Sequence, residues 1–401
     1  MTDLDPHPRT ATGRLARALR HAAPALLVYA AVRALGLAVL AVWCLGTGKS
    51  PHTLLTARWD SLWYTRVAEH GYGWQTTLPD GSVHSNLAFF PLLPWLEKAL
   101  AAVSPLSYAD AGMLVAWLSS LAAAWGIFLI ADRLYREGKA RSAALEGRHS
   151  ETGGRAGVCA VALWAVLPVG IVASMAYSEA LFTALAAWSL YAVLRERWVT
   201  AGLLAALAGL TRPVGMAVVA ALWVTAVLFL LRERRAPWRM VLGMVLAPLG
   251  AAGYVLWVGL RTGGGPFGYL DVQKQWGNGF DFGYAFLRFI TDKFTSFPSA
   301  LAGVGLILGV ALVIWLYVTG VRQHQPVPLL VYTGIVVTLA LCASGYFGSK
   351  PRLLLPAFPL LLPPALALAR LRTSRSAAVL AVAGVGSAVY GALWLNGSGP
   401  P

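Results

Sequence analysis

The sequence predicts an all-α fold, a polytopic transmembrane helical bundle, on three observations. Only 12% of the 401 residues are charged and 58% are hydrophobic, whereas soluble chains carry about 25% charged residues. Apolar runs of about 20 residues, each enough to cross a ~30 Å hydrocarbon core, recur from Ala23 to Trp394. The net charge of +15 is carried by short segments between these runs. That is the pattern of a topology signal rather than of a nucleic-acid-binding surface.

The first run follows Arg14, Arg17 and Arg20 as a signal peptide would. It continues to Leu45 without a small-residue cleavage site and reads as a retained anchor. Eleven spans are expected, near 24–45, 111–131, 157–173, 178–194, 199–212, 213–231, 240–260, 299–319, 327–345, 353–369 and 376–394. The segment 199–212 is too short to cross as a straight helix, so it is tilted, broken, or half of a re-entrant pair with its neighbour. With the N-terminus in the cytoplasm, the inside segments hold 20 Lys and Arg against 11 outside, and Arg33 lies within the first span. This bias orients the chain in the cell membrane. One transmembrane domain, 1–401, then presents two long extracytoplasmic loops, 46–110 and 261–298, with interfacial helices; loops this long are usually functional. Cys44, Cys159 and Cys342 are too scattered for a metal site, and an odd number in apolar runs makes no disulfide framework.

The first outside loop opens on Ala57-Arg58-Trp59-Asp60-Ser61-Leu62-Trp63-Tyr64 and continues through Glu69, His70, Gly71 and Tyr72. Aromatic neighbours desolvate a carboxylate and make Asp60 a better general base. The competing reading is an interfacial aromatic belt holding an incidental acid. Gly46-Thr47-Gly48-Lys49-Ser50 ends like a phosphate-binding loop, but residue 43 is Trp43 where that motif needs glycine.

The Arg-Trp-Asp…Tyr…Glu-x-Gly-Tyr pattern resembles the GPI mannosyltransferase II family, the PIG-V-like members of the GT-C integral membrane glycosyltransferases. Four further segments carry the resemblance in order: Ala88-Phe89-Phe90-Pro91-Leu92-Leu93-Pro94, Tyr177-Ser178-Glu179, Thr211-Arg212-Pro213-Val214-Gly215, and Pro351-Arg352-Leu353 through Pro359. Leu353 stands where the family pattern has an aromatic residue. The Ala, Arg, Gly and Leu bias suits a prokaryotic member, for which a GPI anchor is not the acceptor.

The resemblance implies a GT-C-like bundle and a hexosyltransferase that uses a polyprenyl-phosphate sugar, mannose above all, as donor. The acceptor hydroxyl would belong to a glycan, lipid or protein outside the cytoplasm, and membrane lipids surround the enzyme. Asp60 would act as catalytic base with inversion at the anomeric carbon. Arg352, Arg212 and Lys350 would bind the donor phosphate, because cations neutralise it and the planar Arg fork suits it. Arg58, Trp59, Tyr64, Glu69, Tyr177 and Glu179 are expected to position substrate. Glu179 either orients Arg212 or an acceptor hydroxyl, or caps the helix that follows. Asp60, Glu179, Arg212, Lys350 and Arg352 all fall at the outer membrane boundary in the expected topology, where charge is functional by default.

No cofactor is expected. His70 and His84 share the loop with Asp60 and Glu69, but their spacing matches no helical ligand pair, so no metal ligand is assigned. In the second outside loop Asp271, Lys274, Gln275 and Trp276 are candidates for acceptor sugar, with Trp276 as a stacking platform, unless the loop is a plain cover. Two other classes remain. A transporter would show charged, broken segments near the bilayer midplane in repeated halves, and no such halves are seen. A non-catalytic subunit that binds lipid-linked sugar would tolerate loss of Asp60, which this chain retains.

Overall fold

In hydrocarbon every backbone N–H and C=O must be satisfied within its own segment, so the apolar runs fold as helices. The computed structural model describes residues 11–79, 81–143, 152–397 and 399. The tail 1–10 and the stretch 144–151, which carry part of the expected inside charge, lie outside the described residues.

The chain enters through α1 (Ala11–Thr47) and turns at α2 (Pro51–Thr56), where the Ser50 hydroxyl accepts a hydrogen bond from Thr53 N–H. The first loop holds α3 (Asp60–His70), a hairpin of β1 (Gln75–Thr77) and β2 (Val83–Ser85), and α4 (Leu92–Ala102). Then come α5 (Tyr108–Ala143), α6 (Thr152–Ala165), α7 (Ser178–Leu194), α8 (Trp198–Gly209), α9 (Met216–Glu233), α10 (Trp238–Leu246) and α11 (Leu249–Thr262). The second loop folds as α12 (Gly268–Gln275), β3 (Gly279–Phe280) and α13 (Tyr284–Asp292). After α14 (Ser299–Arg322) and α15 (Val327–Cys342), β4 (Ala343–Ser344) pairs antiparallel with β3 and ties the second loop to the bundle. The chain closes with α16 (Lys350–Leu353), α17 (Leu362–Arg370) and α18 (Thr373–Asn396).

This is an all-α polytopic membrane bundle, but the eleven expected spans need correction. Among the described residues six helical segments are long and apolar enough to cross a bilayer, and up to eight if each of two bent pairs is one span. The expected spans 157–173 and 353–369 fall on these bent pairs. Gly153–Ala165 and Pro168–Ser174 meet at 86°, and Phe347–Leu353 and Phe358–Arg370 meet at 70°. Three more runs, α7, α8 and α15, are apolar but shorter. The 12 residues of α8 extend about 18 Å, well short of a ~30 Å core. By contrast α14 has a window of mean hydropathy 2.5 that is only 6% buried, the signature of a lipid-facing helix.

Both breaks are stitched from within. Pro168 supplies no N–H to continue α6, and the Arg33 guanidinium donates to the freed Ala165 carbonyl. Trp164 Nε1 donates to Leu355 O at 3.0 Å, joining the first break to the second. The first break leads into Tyr177–Glu179 and the second follows Lys350–Arg352, so both buried charged segments lie next to irregular backbone.

Close backbone contact fixes α8. A Cβ on Gly202 would stand 2.3 Å from Gly243 O, and one on Gly250 would stand 1.8 Å from Ala206 O. Small residues let membrane helices approach in this way. Here they seat α8 against α10 and α11 and set the position of Arg212 just beyond its end.

Candidate functional site

Asp60 is the first residue of α3. Trp59 before it has φ 52° and ψ −121°, a conformation glycine favours and a bulky side chain rarely adopts. The Arg58 guanidinium packs over the Trp59 ring at 4.0 Å and donates to Leu395 O at 2.8 Å and Gly397 O at 3.3 Å. The strained turn is thus clamped to the end of α18, and its result is to aim Asp60 into the bundle.

The Asp60 carboxylate meets Arg352, Nη1 to Oδ2 at 2.9 Å, rather than an aromatic envelope. Trp59 lies under Arg58, and Trp63 turns aside to stack on Phe89 at 5.5 Å. The groups that meet Asp60 are thus tertiary neighbours rather than Trp59 and Trp63. Asp60 N–H donates to the buried Tyr177 hydroxyl at 3.3 Å, and the Arg352 guanidinium lies 5.1 Å from the Tyr177 ring.

Glu179, 1% exposed, stands between two guanidiniums. Its Oε1 is 2.5 Å from Arg212 Nη1 and 3.2 Å from Arg352 Nε. Glu179 lies in the first turn of α7, whose N-cap residue Tyr177 makes no side-chain cap bond, and its carboxylate faces both arginines. Arg352 Nε and Nη1 and both Glu179 oxygens are buried without an aligned hydrogen bond among the described residues. Such charge pairs leave donor and acceptor capacity for a ligand.

Ser178 links the cluster to α3: its Oγ lies 2.7 Å from the Tyr64 hydroxyl and accepts from Arg212 Nη1 at 3.3 Å. Burial pushes the Tyr64 phenol well above its ordinary range, so it stays protonated. Ser178 was legible only as the middle of Tyr-Ser-Glu.

The loop after α3 is folded by its own polar groups. The Asn86 side chain donates to Gly71 O at 3.0 Å and accepts from Gly73 N–H at 3.1 Å. The Tyr72 and Tyr254 hydroxyls donate to Phe89 O at 2.8 and 2.7 Å. Leu92 N–H donates to Leu210 O at 3.0 Å, which sets the aromatic-proline stretch beside Thr211 and Arg212.

These segments enclose a cavity of about 450 Å³. Asp60, Tyr64, Glu179, Arg212, Lys350 and Arg352 all line it, with an apolar flank of Val336, Leu339, Leu353 and Pro356. The size suits a small-molecule site. Lys350 Nζ is held by Ala340 O and Ala343 O, both at 2.8 Å, and lies 4.7 Å from the Phe286 ring. Its ammonium therefore satisfies carbonyls at the end of α15. Arg58 is turned to α18, and Glu69 is half-exposed beside His70 at 3.5 Å, outside the cavity lining. His84 stacks on Trp276 at 4.1 Å. Among the described residues no group of three or more His, Cys, Asp or Glu is placed to hold a metal ion.

Of the second-loop residues, Trp276 lines the cavity while Asp271 and Lys274 pair with each other at 3.1 Å, exposed. Gln273 and Asn278 line it instead and were not foreseen. The signal was present: Tyr269, Val272, Gln273 and Trp276 follow the i, i+3, i+4, i+7 spacing of one helix face.

The chain matches no protein-family model and no curated relative. It is similar to the crystal structure of ArnT from Cupriavidus metallidurans in the apo state, with 16% sequence identity and a TM-score of 0.48. The match covers 93% of this chain and 62% of that one, so this chain spans less than two thirds of its length. The likeness is too distant to transfer a site or an activity.

Proposed function

We propose that this chain is a GT-C-type membrane glycosyltransferase of the PIG-V-like kind. It moves a mannosyl residue from a polyprenyl-phosphate donor to an acceptor hydroxyl at the extracytoplasmic face. The observation that carries the reading is the cavity where Asp60, Glu179, Arg212 and Arg352 converge from four distant segments beside an apolar flank. A carboxylate paired with Arg352, with Arg212 in the same cavity, suits a base facing an anionic leaving group, and the flank suits the first units of an isoprenoid chain.

In this reaction the acceptor oxygen attacks the anomeric carbon as the bond from that carbon to the phosphate oxygen breaks. Asp60 takes the acceptor proton, and the lipid leaves as a phosphate monoester. One displacement with one base gives inversion. Arg352 and Arg212 neutralise the charge that grows on the phosphate, while Glu179 holds both guanidiniums in place. Because the proton moves to Asp60 as charge moves to the phosphate, the net charge of the cluster is unchanged through the step. A positioned base contributes roughly 10²–10⁴ in rate.

The test is sugar transfer by purified protein in nanodiscs, from radiolabelled polyprenyl-phosphate-mannose to membrane extract, comparing wild type with Asp60→Asn. Transfer by wild type and its loss by orders of magnitude in the variant is the expected result. Equal transfer by both removes Asp60 from the mechanism. Absence of transfer from any polyprenyl-phosphate sugar favours a binding subunit or a transporter.

A further inference from the structure

One stretch of the cavity wall carries no charge. It is built from Phe89, Gln273, Trp276 and Asn278. It begins next to the reacting groups, because Tyr64 lies one turn along α3 from Asp60 and meets Phe89 edge-on at 5.2 Å. Phe89 in turn meets Trp276 at 5.4 Å and 74°.

The wall is rigid. Trp276 Nε1 donates to Ser85 O at 3.0 Å, His84 stacks on the indole at 4.1 Å, and Trp63 braces it edge-on at 4.8 Å. Gln273 Nε2 donates to Ala88 O at 3.3 Å and also to the Tyr269 hydroxyl. Asn278 Nδ2 donates to Gln273 Oε1 at 2.7 Å. Each primary amide has two N–H donors and an oxygen with two lone pairs, so both retain capacity after these bonds. The loop's own charges, Asp271 and Lys274, satisfy each other in solvent and stay out of the wall.

An indole beside two amides, on a stretch of wall whose own side chains carry no charge, matches one kind of ligand. A pyranose has C–H faces that pack on an aromatic ring and hydroxyls that both give and accept hydrogen bonds. A phosphate or carboxylate set against Phe89 and Trp276 would lose water without gaining a counter-ion from the wall itself. The guanidiniums that suit an anion belong to other segments of the same cavity. We infer that the Phe89–Gln273–Trp276–Asn278 wall is the acceptor subsite and binds a neutral pyranose residue with one hydroxyl directed at Asp60. This rests on the donor reading above for the reaction, though not for the binding.

The test uses full-length protein in nanodiscs with mannose offered as a methyl glycoside in water and as a dodecyl glycoside in the bilayer. Trp276→Leu is expected to raise the acceptor KM about tenfold or more, as loss of ~1.4 kcal/mol would, with the donor KM and kcat within about twofold. Asn278→Ala, at an exposed position that leaves packing intact, is expected to raise it several-fold. Acceptance of either glycoside supports the subsite, and the preferred one separates a soluble glycan from a glycolipid headgroup. A rise in donor KM with acceptor KM unchanged assigns the wall to the donor sugar and overturns the inference, as does no change in either. Saturation-transfer NMR with the methyl glycoside needs no donor. Contact in wild type that is lost in Trp276→Leu sustains the subsite even if no lipid-linked donor is ever turned over; no contact in wild type overturns it.

Discussion

Arg352 holds the carboxylate of Asp60 at 2.9 Å, Nη1 to Oδ2, and the carboxylate is 24% exposed to the cavity. The pair occupies the guanidinium that a donor phosphate needs, so it has to loosen as the donor arrives. A donor phosphate competes for the same guanidinium and frees Asp60 as it binds. Asp60→Asn should therefore bind polyprenyl-phosphate-mannose as tightly as wild type or several-fold more tightly, while kcat falls by roughly 10²–10⁴. Equilibrium binding with single-turnover transfer separates the two effects. Weaker donor binding in the variant would show that Asp60 holds substrate instead.

Arg352 reaches Asp60 and Glu179 at once through two different nitrogens. An ammonium is a point charge and cannot reproduce that planar span. Arg352→Lys should keep the fold yet lose about tenfold or more in kcat/KM for the donor, and Arg352→Gln should lose more. Equal activity of Arg352→Lys and wild type in steady-state transfer would mean that charge alone matters here.

Glu179 is buried between the guanidiniums of Arg352, buried, and Arg212, partly buried, so removing its charge leaves both without their common partner. Breaking a buried pair from one side costs about 3–5 kcal/mol. Glu179→Gln should lower the melting temperature in detergent and reduce transfer. Adding Arg212→Gln should recover part of the stability without the activity. Strict additivity of the two substitutions in a double-mutant cycle would show that they are not coupled.

The charged side of the cavity was largely legible in the sequence. Glu179, Arg212 and Arg352 are charged groups at the ends of apolar runs, where charge has few structural reasons to exist, and Asp60 and Tyr64 belong to the motif that opens the first long loop. What was not legible was direction. Hydropathy reports that 157–173 and 353–369 are apolar but not that each turns sharply at a break, so two bent pairs passed for straight spans. Proximity in sequence misled in the same way. Glu69 belongs to the Asp60 motif, but α3 carries it to the solvent beside His70. Arg58 adjoins the motif's strained turn and reaches α18. Gln273 stands out from Lys274 and Gln275 only when its segment is laid on a helix face.

Gly250 ties the bundle to the site. A methyl group there would meet Ala206 O at 1.8 Å, and that contact is backbone, which cannot swing aside. Relief requires α8 and α11 to separate, which would displace Arg212 at the end of α8. Overpacking of this kind costs about 1–3 kcal/mol. Gly250→Ala should lower thermal stability and raise the donor KM together, whereas Gly253→Ala, with nothing within 4 Å of the added carbon, should do neither. The comparison needs only melting curves and donor titrations. A stable Gly250→Ala protein with a normal donor KM would detach helix packing from phosphate binding.

Glu97 gives the pH dependence. It is fully buried on α4, its two oxygens have no hydrogen-bond partner among the described residues, and burial raises its carboxyl well above the ordinary carboxylate range. The folded protein therefore holds a proton that the unfolded chain gives up near pH 4 to 5, roughly. Between the ordinary carboxylate range and the raised folded value the native state binds more protons, so stability falls as pH rises through that window and levels off above it. Glu97→Gln keeps the shape and neutrality of the protonated acid. It should be more stable than wild type at neutral to alkaline pH, about equal to it at acidic pH, and should flatten the profile. Melting temperatures across pH 4 to 9, roughly that range, decide the point. A wild-type profile that rises with pH, or one that Glu97→Gln leaves unchanged, would mean that Glu97 is ionised in the folded protein and has a partner.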